Sequence, residues 1–181
     1  MSSAASRAAL LGTRLGLMAT LAPSRALAYE DQVGLAAGLG YSLLASDTTL
    51  PMHGVAARVG ASLGVGDTFE LRLNGAYAFH FGDEPMHRAA LAFEAVYLVD
   101  ILEVVPFLGL GIGGILSVHE RMTGALLRGD FELHAVLGFD WLLSREFSIG
   151  LEARPTFLLT ALSEDPIWIT ITARAQLLFE I

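Results

Sequence analysis

The sequence has no cysteine, no lysine and no long uninterrupted run of apolar residues. Without cysteine, the chain cannot form a disulfide or a thiolate metal site. A membrane-spanning helix needs about 18 or more consecutive apolar residues, so the missing run argues against helical spans. All 11 basic residues are arginines, whose planar guanidinium suits forked pairing with carboxylates in enclosed sites.

The chain is nevertheless apolar, because 54% of its residues are hydrophobic and only 17% are charged. In lipid, only helices and closed barrels satisfy the polar groups of the backbone. The composition therefore leaves two hypotheses, a β-barrel in a membrane or an unusually apolar soluble domain. The formal charge is −8, so the chain lacks the basic character of nucleic-acid-binding proteins, and we expect no nucleic-acid partner.

The first 28 residues have the pattern of a secretory signal peptide. Two arginines precede the short apolar run LGLMATLA, and Ala26 and Ala28 form an A-x-A cleavage site. Cleavage is predicted after Ala28, which assigns residues 1–28 to the signal peptide and leaves residues 29–181 as one exported domain.

The rest of the chain alternates between two kinds of residue with a period of two, which is typical of β-strands. The connections after the odd-numbered segments, such as HERMTGALLR, are mostly longer and polar, and those after the even-numbered segments are short. This asymmetry is typical of an outer-membrane barrel. The predicted strands are residues 33–44, 54–65, 69–81, 88–98, 104–118, two segments within 130–157, and 167–181.

The two faces of these strands differ in chemistry. One face carries large hydrophobic residues, with aromatic residues near the strand ends, as in the girdles of membrane barrels. The other carries Gly, Ala and Ser together with charges of both signs, and these small residues leave room for paired charges inside a narrow eight-stranded barrel. We predict a structural network in the lumen that comprises Arg58, Glu70, Arg72, Arg88, Glu94, Glu132, His134, Asp140, Glu152, Arg154 and Arg174.

The predicted fold is therefore all-β, an eight-stranded antiparallel up-and-down transmembrane barrel. The soluble alternative is a lipocalin-like barrel with its faces reversed. It would have to fill a narrow core with large aromatic residues and expose a glycine-rich face to water.

Three stretches carry a family resemblance, namely VPFLGLGIGG, LGFDWLLSREFSIGLEARPTF and ITITARAQLLFEI. Through them the chain resembles the small eight-stranded outer-membrane β-barrels, the group that contains outer membrane protein X and the barrel domain of outer membrane protein A. The resemblance implies a monomer in the outer membrane, in contact with lipid and lipopolysaccharide and inserted by the barrel-assembly machinery. It also implies an assembly signal in the last strand, which Arg174 and Phe179 match, whereas Gln176 and Ile181 replace the usual Gly and Phe.

Two groups of residues raise hypotheses of chemistry at the rim that carries the longer connections. A metal could be held by some of the four histidines predicted there, but their spacing matches no metal motif, and we expect no metal and no cofactor. These histidines are His53, His80, His87 and His119.

The second hypothesis is enzymatic, because some barrels that the chain resembles modify lipid A with serine, histidine and a carboxylate. The candidates, predicted on the longer connections, are Ser117, His119 and Glu120, with Ser46 and Asp47 across the barrel. No motif of those enzymes matches, so we expect a structural or interaction role without catalysis. The alternatives are a lipid A acyltransferase or deacylase and a small-solute conduit, although a filled eight-stranded lumen leaves no aqueous channel.

Overall fold

The computed structural model describes residues 32–45, 52–82, 85–99, 103–121, 124–160 and 167–181. The predicted signal peptide lies outside these ranges, as do Ser46 and Asp47. In the part of the chain that is described, no helix is long and apolar enough to cross a membrane.

Eight antiparallel strands form a closed barrel in which each strand pairs with its neighbours in sequence. The barrel closes where β8 pairs with β1, from Gln32 opposite Glu180 to Ala45 opposite Ile167. The predicted eight-stranded antiparallel barrel is thus confirmed. Its strands are β1 (Gln32–Ala45), β2 (Met52–Val65), β3 (Phe69–His80), β4 (Met86–Leu98), β5 (Val104–Arg121), β6 (Gly124–Leu142), β7 (Phe147–Leu158) and β8 (Ile167–Glu180).

Side chains alternate between the two faces of the barrel wall as the period of two requires. On β3, for example, Glu70 and Arg72 are buried, whereas the alternate residues Leu71 and Leu73 are exposed. The tight turn between β2 and β3 contains Gly66, whose φ of 64° is a left-handed conformation that favours glycine. We call the rim at this turn the inner rim and the opposite rim, towards the β1–β2 connection, the outer rim.

The outward face of the barrel is a continuous belt of large hydrophobic side chains. Leu39 on β1, Ile112 on β5 and Phe131 on β6 are 71%, 63% and 69% exposed, and every other strand contributes similar residues. Such a belt is far larger than the apolar patches that soluble monomers expose.

The predicted loop HERMTGALLR is wrong, because most of it is strand. β5 continues to Arg121 and β6 already begins at Gly124. These two strands, with 18 and 19 residues, are longer than the other six, which have 12 to 14. β6 therefore extends beyond the end of its neighbour β7, whose last residue, Leu158, pairs with Glu132. The polar residues here gave no apolar face from which the strand could be predicted.

Candidate functional site

The lumen consists of three layers of inward-facing side chains. An apolar layer near each rim encloses a charged layer between them. The outer cluster comprises Leu44, Ala56, Ala78, Met86, Ile115, Leu158 and Trp168. The inner cluster comprises Val96, Leu98, Val105, Phe107, Val136 and Leu178.

Glu152 of β7 is the centre of the charged layer, because its carboxylate lies near four guanidinium groups. The shortest contact joins Glu152 Oε1 to Arg154 Nη2 at 2.8 Å. The other oxygen lies 3.4 Å from Arg72 Nη1 and 3.5 Å from Arg174 Nη1. Arg58 Nε lies 3.6 Å from Oε1. One buried carboxylate thus helps to compensate arginines from β2, β3, β7 and β8.

Glu94 of β4 is a second acceptor on the opposite side of the lumen. Arg154 reaches it across the barrel, with 3.1 Å between Nη2 and Oε2 and a second contact from Nη1. His134 Nε2 lies 3.2 Å from Glu94 Oε1, and its Nδ1 lies 3.4 Å from Glu132 Oε1. Arg58 Nη1 is 3.8 Å from Glu94. These contacts connect β4 with β2, β6 and β7 through the interior of the barrel.

The inner side of the charged layer rests on the ring of Phe107. Arg72 Cζ lies 4.5 Å from the centre of this ring and Arg174 Cζ lies 5.4 Å from it, within the range of cation–π attraction. Arg72 Nε also donates a hydrogen bond of 2.7 Å to Glu70, and Arg174 Nε lies 3.5 Å from Asp140. The aromatic ring therefore joins the charged layer to the inner cluster.

The structure brings ten of the eleven residues predicted for the lumen network together in this layer, four arginines, five carboxylates and His134. The remaining residue, Arg88, also faces inward and is buried, but it lies beside the outer cluster. Its Cζ is 5.8 Å from the ring of Trp168.

Gly111 on β5 provides the space in which Glu94 and His134 meet. A Cβ atom at this position would lie 2.6 Å from Glu94 Cγ and 2.6 Å from His134 Cε1, closer than such atoms approach each other. A glycine is therefore required here by a close approach of side chains.

Two small cavities flank Arg58. One, of about 20 Å³, is lined by Arg58, Arg72, Asn74 and Arg174 among others, and the second, of about 10 Å³, borders Arg154. A cavity needs roughly 10–15 Å³ to hold one water molecule. Neither cavity has room for a metabolite.

The sequence did not predict a buried serine–histidine pair beside the outer cluster. Ser42 Oγ lies 2.9 Å from His80 Nε2, and Trp168 Nε1 donates a hydrogen bond of 2.7 Å to the same Oγ. Ser42 and His80 have no accessible surface, and Trp168 is 3% exposed. These residues are far apart in sequence. Gly54 of β2 pairs with both Ser42 and His80 and so brings them level, whereas Trp168 is brought in by the pairing of β1 with β8 that closes the barrel.

We predicted the candidate catalytic fragment on a loop, but the structure places it on β5. Ser117 is buried and faces the lumen between Arg88 of β4 and Arg128 of β6, its partners in the ladder. His119 is paired with Met86 on the same face. The prediction failed because the strand pairing continues beyond the last apolar alternation of β5.

The rim histidines do not converge on one site. His80 faces the lumen and is fully buried, whereas His53 and His87 are on the outward face, because they occupy positions of opposite parity on their strands. Within the described ranges, no group of three or more metal-ligating side chains lies close enough to hold an ion.

His53 and His87 instead each contact a tyrosine on the outward face. The hydroxyl of Tyr77 lies 2.6 Å from His87 Nδ1, and the hydroxyl of Tyr41 makes the same contact with His53 Nδ1. Phe79 packs against His87, with ring centres 4.9 Å apart. Neither tyrosine–histidine pair was predicted from the sequence.

No protein-family model matches the chain, and no curated protein matches it. Similar solved structures include the following three. Neisserial surface protein A has a TM-score of 0.72 at 11% identity, over 80% of this chain and 96% of that one. The N-terminal barrel domain of OprF from Pseudomonas aeruginosa has a TM-score of 0.59 at 11% identity, over 83% and 98% of the two chains. Ail, the attachment invasion locus protein of Yersinia pestis, has a TM-score of 0.59 at 15% identity, over 83% and 99%.

The fold is that of the small eight-stranded outer-membrane β-barrels. At these identities the similarity establishes the fold alone, and it carries no activity or ligand from one protein to another.

Proposed function

We propose that this chain is an integral outer-membrane β-barrel with a structural or interaction role, a closed lumen and no catalytic activity. The observation that carries the proposal is the separation of charge from apolar surface by the barrel wall. All ten residues of the charged layer are inside, and every strand carries large hydrophobic residues on its outward face. A charge that faced lipid at the bilayer midplane would cost about 2–4 kcal/mol.

The height of this belt fits a bilayer. Strands rise about 3.3 Å per residue, and a tilt of about 40° leaves about 2.5 Å per residue along the membrane normal. The outward residues of β2 from Val55 to Val65 therefore cover about 25 Å, the height of the apolar band of outer-membrane barrels.

The three-layer lumen supports a closed barrel more than a small-solute conduit. A solute would have to pass both apolar clusters and separate the ion pairs around Glu152. Separating a buried ion pair leaves uncompensated charge and costs several kcal/mol. The conduit is therefore disfavoured by the packing of the described side chains.

An interaction role is supported by the parts of the barrel that differ from a minimal one. The long β5–β6 hairpin extends past the end of β7. A barrel with the same fold is named the attachment invasion locus protein. The partners that we propose are outer-membrane lipid and lipopolysaccharide, with insertion by the barrel-assembly machinery as a monomer.

The proposal is tested by locating and probing the full-length protein in a Gram-negative host. It should fractionate with outer membranes and migrate faster on gels before heating than after, as folded barrels do. Vesicles that contain the purified protein should not swell in small sugars. Recovery in the soluble fraction would contradict the membrane location, and sugar-dependent swelling would contradict the closed lumen.

A lipid A-modifying enzyme is the second candidate, and the contact between Ser42 and His80 is the observation that favours it. A serine within hydrogen-bond reach of a histidine is the arrangement of an activated nucleophile. Here, however, both residues are fully buried, and Trp168 also bonds to the serine oxygen. We therefore propose that the pair is structural.

Lipid A mass spectra from host cells distinguish the two candidates. Cells that produce the wild type, Ser42→Ala and the double variant Ser117→Ala/His119→Ala should give the same spectrum as cells without the protein. If lipid A gained or lost an acyl chain in cells with the wild type but stayed unmodified in cells with either variant, the protein would be an enzyme.

A further inference from the structure

The hydrogen-bonded ladder between β6 and β7 is interrupted in the middle of the barrel wall. Its register sets Ala135 opposite Pro155 and Val136 opposite Arg154, but neither pair forms. Pairing continues on both sides of this gap in the same register. Over the residues that the structure describes, the other seven ladders are continuous. The gap therefore has a local cause.

Pro155 is that cause, because proline has no backbone N–H and cannot donate to a ladder. Leu159 N donates to Phe131 O at 2.9 Å, so the backbone of this β7 residue faces β6. Alternate residues of a paired strand face the same neighbour, and Pro155 is four residues before Leu159. Its nitrogen therefore lies where a donor to Ala135 is needed. The carbonyl of Ala135 is left without its partner on β7.

The outward surface around this carbonyl is low and offers no hydrogen-bond donor. Ala135, Ala153 and Pro155 are outward residues with small side chains, and we name these three the seam depression. Larger apolar residues on β5, β6, β7 and β8 surround it, namely Leu110, Leu133, Leu137, Phe157, Ile169 and Ile171. None of these side chains can donate a hydrogen bond.

The lumen does not supply the donor either. Val136 is apolar, and Arg154 is the polar residue at the gap on the inward side. The guanidinium of Arg154 is directed to carboxylates, with hydrogen bonds to Glu152 and to Glu94 across the barrel. A carbonyl without a partner is unfavourable in hydrocarbon, where no water replaces the missing donor. The gap therefore favours a lipid that brings a donor with it.

The depth of the gap indicates which part of a lipid can reach it. On β7, Pro155 precedes Phe157 by two residues, and on β6, Ala135 follows Phe131 by four. A tilted strand rises about 2.5 Å per residue along the membrane normal, so the gap lies about 5–10 Å below these rings. Because aromatic girdles mark the membrane interface, this is the level of the first carbons of the acyl chains.

We propose that the seam depression binds an outer-leaflet lipid whose acyl chain carries a hydroxyl group a few carbons below the headgroup. The hydroxyl donates a hydrogen bond to the carbonyl of Ala135, and the chain lies over Ala153 and Pro155. This inference rests on the proposed function, since it requires the belt to lie in an outer membrane. It specifies the class of lipid that the barrel holds and the place where it binds.

The carbonyl itself can be observed by NMR in the full-length protein. The sequence has two Ala–Val pairs, Ala95–Val96 and Ala135–Val136, so ¹³C-carbonyl alanine combined with ¹⁵N-valine selects two carbonyl signals. The protein is placed in nanodiscs of dimyristoyl phosphatidylcholine, and the same lipid with 3-hydroxymyristoyl chains is added. The Ala135 signal should move downfield and saturate. Ala95, which lies in two continuous ladders, is the internal control and should not move.

Competition between the two lipids gives the size of the preference. The wild type should bind the hydroxylated lipid about fivefold more tightly, which corresponds to one neutral hydrogen bond. Pro155→Val restores the N–H with a residue that suits a strand, so the carbonyl is paired within the wall. This variant should bind the two lipids within about twofold of each other.

Two further variants separate the carbonyl from other effects. Ala153→Leu keeps the gap but fills the depression, and it should also lose the preference. Pro106→Val is the matched control, because Pro106 is an outward proline near the inner rim. The carbonyl of Pro106 accepts a hydrogen bond from Val99 N at 2.8 Å, so its missing N–H faces the end of β4. Pro106→Val should leave the preference unchanged.

Four outcomes would overturn the inference. The Ala135 signal does not respond to the hydroxylated lipid, Pro155→Val or Ala153→Leu keeps the preference, the signal responds to exchange of H₂O for D₂O and so reveals water at the carbonyl, or a second copy of the chain covers the depression in both lipids. If the protein also fails to enter nanodiscs, the proposed membrane location is wrong as well. Entry without a response of the Ala135 signal would refute the lipid site alone.

Discussion

Arg154 Nη2 lies 2.8 Å from Glu152 Oε1 on its own strand and 3.1 Å from Glu94 Oε2 on the far side of the barrel. The guanidinium is thus shared between two carboxylates on β7 and β4. Because Arg58 also lies near both carboxylates, the charged layer connects opposite walls of the lumen. The stability of the barrel should therefore depend on the side chains at the centre of this layer.

Replacing Glu152 by Gln should destabilise the barrel by about 3–5 kcal/mol, because arginines are left with less compensating charge in an enclosed site. Equilibrium unfolding by urea, with the protein in lipid vesicles, measures the change. Glu146→Gln is the control, since this residue is exposed in the turn between β7 and β6, and it should alter stability by less than about 0.5 kcal/mol. Equal effects of the two substitutions would show that the charged layer does not stabilise the fold.

Leu137→Arg should destabilise the barrel by about 2–4 kcal/mol, because Leu137 faces outward in the middle of the part of β6 that pairs with β7. Leu143→Arg, in the turn at the inner rim, should cost only about 0–1 kcal/mol. The two leucines are 49% and 52% exposed, so accessibility cannot explain a difference between them. Urea unfolding in lipid vesicles measures both changes. If Leu137→Arg left the free energy of unfolding unchanged, this face would not be in contact with lipid.

Gly111→Ala should destabilise the barrel by about 1–3 kcal/mol, because its methyl group would overlap Glu94 and His134. Gly114→Ala on the same strand is the control. A Cβ there would face outward and approach one backbone oxygen at 3.9 Å, an ordinary contact. If thermal unfolding in detergent gave both variants the same midpoint, Gly111 would not be needed for the space that it provides.

Ser42→Ala should destabilise the barrel by about 1–3 kcal/mol, because His80 and Trp168 both lose their hydrogen-bond partner in a buried place. Ser144→Ala, in the exposed turn at the inner rim, is its control. Urea unfolding gives the difference. If Ser42→Ala were as stable as the wild type, the contact between Ser42 and His80 would not be structural, and a chemical role would be favoured.

Much of the fold followed from the sequence, because a strand with one lipid-like face and one small or charged face has a strict period of two. Glu70, Arg72 and their apolar neighbours on β3 show the pattern clearly. The members of the charged layer were predicted from the same alternation, since each of them occupies the face opposite to large hydrophobic residues.

The parts that were missed depend on register between strands, which alternation along one strand does not reveal. Ser42 meets His80 through the registers of β1 with β2 and of β2 with β3, and it meets Trp168 through the pairing of β1 with β8. The tyrosine–histidine contacts needed the diagonal pairing of two hairpins. The extension of β5 and β6 was missed because its residues follow no apolar alternation. If the register of β1 with β2 were known, it would predict the contact of Tyr41 with His53.

The orientation of the barrel wall can be measured residue by residue, because the chain has no cysteine of its own. Single cysteines placed in turn along β6 from Phe131 to Trp141 would carry an environment-sensitive fluorophore, in vesicles that contain a lipid-borne quencher. Quenching should alternate strictly, strong at Phe131, Leu133, Leu137 and Phe139 and weak at the lumen positions Glu132, His134 and Val136. Uniform quenching, or strong quenching at the lumen positions, would contradict a barrel that faces lipid with its hydrophobic belt and encloses its charges.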